Sequence, residues 1–251
     1  MADARQLTLN LRTQRLSRDS ANRAYWDAVV SPKSVPAGRT AVLICDVWDN
    51  HWSRGAAERC AEIAARMNDV VTAARGLGVS IIHAPSDTMD FYVDHPARRR
   101  MLAIPAVSPL ESADHADPPL PIDDSDGGSD TGEKPWHKAW SRQHPAIEIG
   151  DQDVISDRGQ EVYSFLRHRD IAQVVIMGVH TNMCILHRSF GIKQMVRWGV
   201  EIALARDLTD TMYNPEMRPY LSHDEGTRLV IEFIEKFWCP TLSSEDLAKA
   251  R

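Results

Sequence analysis

The sequence predicts a doubly wound α/β fold: a Rossmann-like parallel sheet of about six strands, helices on both faces, and one long irregular insertion. Two patterns carry this reading. Short runs such as residues 40–46, 79–84 and 174–178 are apolar at odd and even positions alike, as strands buried on both faces are. Between such runs lie longer stretches with apolar residues at helical spacing, and that alternation places the strands parallel in one sheet. With 251 residues, 43% of them hydrophobic, the chain can fill one such core.

Residues 1–36 form an N-terminal extension with one alternating stretch, Leu7 to Leu11, and residues 37–251 form the α/β domain. The first core strand, 40–46, ends abruptly in Asp46-Val47-Trp48-Asp49-Asn50-His51-Trp52. A helix over 55–76 follows, with Ala57, Ala61, Ala64, Met67, Val70, Val71 and Ala74 on one side, stopped by Gly76 and Gly78. Strand 79–84 closes a βαβ unit, whose crossover is right-handed. Residues 85–145 read as the insertion, and its acidic stretch, 111–134, as mobile and solvated. A calcium loop starting at Asp124 fails, because Ser129 stands where glycine is needed and Pro135 where glutamate is needed. Beyond it the expected elements are strand 146–149, helix 160–169, strand 174–178, helix 182–198, strand 200–205 and helix 226–238.

A net charge of −6 gives no basic footprint for nucleic acid. The basic cluster Arg98-Arg99-Arg100 reads as a solvated helix face. No apolar run is long enough to span a membrane, and the N-terminal residues lack the apolar core of a signal peptide. The expectation is a cytoplasmic protein whose four cysteines, Cys45, Cys60, Cys184 and Cys239, are free thiols.

The sharpest feature is Gly178-Val179-His180-Thr181-Asn182-Met183-Cys184. A strand ends, a turn follows, and a cysteine sits in the first turn of the next helix. There unpaired N–H groups stabilise an anion, which would lower a thiol pKa and could bind an oxyanion. The same cysteine could instead be a buried structural residue. Asp46, following five apolar strand residues, lies at the carboxyl edge of the sheet, where such folds bind ligands. It could cap a turn, or exchange a proton with Cys184.

This order of strand-ending Asp, insertion, and Gly-Val-x-x-x-x-Cys resembles the isochorismatase-like (cysteine hydrolase) superfamily over roughly residues 38–210. Trp48, His51-Trp52, His83-Ala84-Pro85-Ser86, Gly159-Gln160-Glu161-Val162 and Cys239-Pro240-Thr241 resemble an uncharacterised bacterial branch of it. The resemblance implies a homo-oligomer, dimer or tetramer, acting on a small molecule. Amidases of the superfamily attack a carbonyl through the cysteine and form a thioester, whereas isochorismatase cleaves a vinyl ether without that nucleophile. It further implies an Asp–Lys–Cys triad, a cis peptide corresponding to Val179–His180, and an oxyanion hole from the amides of His180 and Cys184.

Two departures stand out. The family lysine should close strand 146–149, but Gly150 and Asp151 follow it; Lys138, Arg142 and His144 are the nearest replacements, the first two favoured. Nicotinamidases hold a divalent ion with Asp-x-His, which residues 87–95 lack, so no metal or other cofactor is expected; His83, Asp87 and His95 remain the minority ligand set. Trp48, His51, Trp52, Trp136, His137 and Trp140 either pack the insertion onto the body or wall the pocket. The expected substrate-binding set is Val179, His180, Trp48, His51, Trp52 and Trp136. The function expected is thioester-forming hydrolysis of a small amide or ureide. The alternatives are vinyl-ether hydrolysis and a catalytically silent binding or assembly protein.

Overall fold

The computed structural model describes residues 5–134 and 137–249. In chain order the strands are β1 (Gln6–Arg18), β2 (Ala24–Pro36), β3 (Thr40–Cys45), β4 (Ser80–Ala84), β5 (Val154–Ile155), β6 (Gln173–Val179), β7 (Ile202–Asp210) and β8 (Thr241–Leu242). The α-helices are α1 (Arg54–Leu77), α2 (Pro96–Leu102), α3 (Gly159–His168), α4 (Cys184–His187), α5 (Ile192–Arg197) and α6 (His223–Phe237). All eight strands join one sheet, ordered β2-β1-β8-β7-β6-β3-β4-β5. Strands β3 to β8 run parallel, and the β1–β2 hairpin adds two antiparallel strands at one edge.

The sheet therefore has eight strands rather than about six. The N-terminal extension supplies the surplus: Leu7 and Leu9 alternate into the core with no exposure, so a segment read as an appendage is sheet. Helices cover both faces, as expected. Ala41, Leu43 and Cys45 of β3 pack towards α3, α5 and α6, while Val42 and Ile44 pack towards α1.

Three expectations need correction. Residues 146–149 form no strand; the sheet edge is instead the two-residue β5, too short for periodicity to reveal. The helix expected over 182–198 is broken into α4 and α5, and between them Arg188 takes extended backbone, ψ 155°. The acidic stretch is not loose. Asp117 pairs with Lys193 at 2.6 Å, Asp124 accepts from Asn182 at 2.7 Å, and Asp130 accepts from Arg59 at 2.8 Å. Little apolar surface was on offer there, yet charge-assisted hydrogen bonds order it.

Arg98 likewise departs from its expected solvated face: it is buried, with its guanidinium on the Glu161 carboxylate. Among the described residues no helix is long and apolar enough to cross a membrane.

Candidate active site

β3 and β6 are neighbours with Cys45 opposite Gly178, so Asp46 and Val179 emerge side by side at the carboxyl end of the sheet. Glycine is required at 178: its φ is +121°, and a Cβ would lie 2.0 Å from the Cys45 carbonyl oxygen. Asp46 leaves the strand with φ +50°, a left-handed conformation that aspartate tolerates. Its side chain is fully buried. The carboxylate accepts from the Ser86 N–H at 2.7 Å and from Arg188 Nε at 2.8 Å, and the Cys184 side chain lies close enough to act on it.

Cys184 is the first residue of α4, so its own amide lacks a helical partner. The backbone N–H of His180 is directed at its sulfur. The Val179–His180 peptide is cis, as the resemblance implies. Thr181 and Asn182 knit this turn to the end of β7: Thr181 N–H donates to the Asp210 carbonyl at 2.8 Å, and Met212 N–H donates to Asn182 Oδ1 at 3.0 Å.

The expected low thiol pKa is not found. Burial first, and the neighbouring Asp46 second, raise the Cys184 thiol well above its ordinary value, opposed by Arg188 and the His180 amide. A four-residue α4 offers only a weak dipole, and the sulfur sits beside a carboxylate. Burial also raises Asp46, although Arg188 and the hydrogen bonds from Cys184 and Ser86 pull it back. Both groups therefore hold a proton more tightly than they would in water.

The cation at this pair is Arg188, not a residue of the 136–144 segment. Lys138 donates to the Asp87 carbonyl, outside the site. The Arg142 guanidinium lies 5.5 Å from the centre of the Phe91 ring. His144 Nδ1 accepts from the Ala146 N–H at 3.2 Å. Arg188 reaches Asp46 because the chain leaves the helix at that residue, and its second nitrogen contacts Asp87 at 3.1 Å. The sequence held a signal for it: Ser189-Phe190-Gly191 interrupts the helical spacing five residues past the cysteine.

Aromatic rings wall one side. Trp48 and Trp140 stack with centroids 4.0 Å apart, so the insertion is packed onto the body at the site itself. His51 lies 5.7 Å from Trp140, Trp52 lies 5.2 Å from His51, and His180 meets His51 edge-on at 4.9 Å. Trp136 lies outside the described residues, and His137 is exposed. Burial keeps both histidines neutral, lowering His51 to about 4 and His180 to about 3. Among the described residues, His180 Nε2 is buried with no hydrogen-bond partner. A small cavity beside it is lined by Trp48, His51, Cys60, Val179 and His180. On the outer side, Asp87, Asp90, Lys138 and Trp140 line a cleft of about 520 Å³.

The minority metal ligands do not fit an ion. His83 is held between Gln143 at 2.9 Å and Asp153 at 3.0 Å, Asp87 contacts Arg188, and His95 caps α2. Among the described residues no group of three His, Cys, Asp or Glu could hold one.

No family model and no curated protein matches the chain. Solved structures do. A cysteine hydrolase from Pseudomonas syringae pv. phaseolicola 1448A superposes with a TM-score of 0.53 at 18% identity, covering 85% of this chain and 92% of that one. An isochorismatase from Pseudomonas putida KT2440 gives a TM-score of 0.50 at 11% identity, covering 83% and 90%. Both show the same fold.

Proposed function

We propose that this chain, which has the isochorismatase-like fold, is a hydrolase of small amides or ureides with Cys184 as nucleophile and Asp46 as acid and base. The observation that carries the reading is Cys184 set beside a buried Asp46 that is itself paired with Arg188. The thiol is protonated at rest, so attack and proton transfer belong together. As sulfur bonds to the substrate carbonyl carbon, its proton passes to Asp46, and the oxyanion takes hydrogen bonds from the amides of His180 and Cys184. Asp46 returns the proton to the departing nitrogen, leaving a thioester. A water then attacks the thioester, Asp46 accepts the water's proton, and this proton restores the thiol as the acid is released.

Trp48, His51, Trp52, Val179 and His180 supply a polar-aromatic wall suited to a planar uncharged group. Arg188 supplies a cation beside Asp46, so the missing family lysine does not by itself favour a silent binding protein. Vinyl-ether cleavage would leave Cys184 and its hydrogen bond to Asp46 without a use.

The test is ammonia release from a panel of small primary amides and ureides. Wild type is expected to hydrolyse at least one, and Cys184→Ala to hydrolyse none while melting like wild type. Retained release by Cys184→Ala would sink the reading.

A further inference from the structure

The motif Gly159-Gln160-Glu161-Val162 plays no part in the chemistry above, but its placement gives it a use. We infer that Gly159 and Ser189 are positioning residues: their contact fixes the chain break after α4 and so aims Arg188 at Asp46. The inference rests on the hydrolase reading of Cys184. Gly159 N–H donates to Ser189 Oγ at 2.9 Å. A Cβ on Gly159 would lie 1.9 Å from the Ser189 carbonyl oxygen and 2.4 Å from its carbon. Both are backbone atoms, which cannot swing aside as a side-chain tip could. The chain at 189 therefore rests directly on the first residue of α3.

That support is itself anchored. Glu161 accepts from the buried Arg98 and from Ser156 Oγ at 2.6 Å, and Arg98 also donates to the Ile155 carbonyl at 3.2 Å. The start of α3 is thus tied to β5. Arg188, one residue before the contact, is a long side chain left 30% exposed. Its guanidinium spans Asp46 and Asp87, so the place of its backbone decides whether it reaches both. Beside the contact lies a cleft of about 580 Å³, lined by Met101, Ile104, Gly159, Ser164, Ser189 and Trp198. A displaced 188–191 segment has room to move on that side.

The readout is the rate at which iodoacetamide alkylates Cys184 in the full chain as a function of pH, followed by peptide mass spectrometry. The charged or titratable groups acting on this sulfur are Asp46, Arg188 and Cys45. Cys45, Cys60 and Cys239 are buried and report unfolding. Arg188→Gln is expected to move the onset of reaction up by about one pH unit or more, a roughly tenfold lower rate at fixed pH, because a cation at hydrogen-bonding distance favours the anion. Gly159→Ala and Ser189→Ala should shift the profile in the same direction, and Ser189→Thr, which keeps the hydroxyl, should not. In an Arg188→Gln background neither should add a further shift. A merely structural defect would expose all four cysteines and persist in that background. If Gly159→Ala does not fold, Ser189→Ala decides alone. Wild-type profiles for both, with Arg188→Gln shifted, would overturn the inference and leave the hydrolase reading standing. An unshifted Arg188→Gln would overturn it together with the role of Arg188.

Discussion

Asp46 is the residue on which the site's energetics turn. It is fully buried, and Arg188, Ser86 and Cys184 only partly offset what burial costs its charge. A carboxyl whose folded pKa lies above its unfolded value contributes stability that is complete below the unfolded value and lost as pH rises through the folded one. In the working pH range, ionised Asp46 is thus a cost retained for its chemistry, as functional sites often show. Asp46→Asn is expected to abolish turnover. Its melting temperature relative to wild type should be higher at about pH 8 than at about pH 5, since only the wild type carries a buried carboxyl whose raised pKa costs stability as pH rises. Thermal melts of both proteins at the two values check this. An Asn variant that falls further behind at the higher pH would show that the Arg188 pair outweighs burial.

Among the elements, those with strong periodicity were legible and those defined by a break or by non-local pairing were not. β3 and β6 are continuously apolar and buried, and α1 shows its buried stripe plainly, so the sheet edge carrying Asp46 and the turn before Cys184 could be placed from sequence. Arg188 was hidden because a helical pattern over 182–198 gives no weight to a local break. The break is set by Gly159, 29 residues upstream of Arg188 in the chain. β5 and β8, two residues each, exist only through their partners. The hairpin was masked by exposure: most of β2 faces solvent, leaving few apolar positions to alternate. That exposure has a consequence. Leu16, Trp26 and Val30 share one face of the hairpin and are 60%, 42% and 56% exposed. We propose that a second copy of the chain covers part of this face, because apolar side chains grouped on a sheet edge invite association. Leu16→Lys with Val30→Lys should lower the mass seen in solution scattering at micromolar concentration. A wild type that is already monomeric there would refute the proposal.

For the molecule as a whole, the site is where three regions of the chain converge. The sheet delivers Asp46 and Cys184, the segment between α4 and α5 delivers Arg188, and the insertion closes over them. Trp140 stacks on Trp48, and Asp124 holds Asn182 within the nucleophile's own turn. Several charges of the acidic stretch are held by partners on the body, among them Asn182 of the turn before Cys184. The central claim is that this convergence makes Cys184 an acyl acceptor. The most direct measurement is intact-protein and peptide mass spectrometry after brief exposure to p-nitrophenyl acetate, an activated acyl donor that needs no knowledge of the natural substrate. The account predicts an acetyl group on Cys184 alone, lost with time as water attacks it, formed more slowly in Arg188→Gln and absent in Cys184→Ala. Acetylation spread over surface lysines, with Cys184 unmodified, would contradict it.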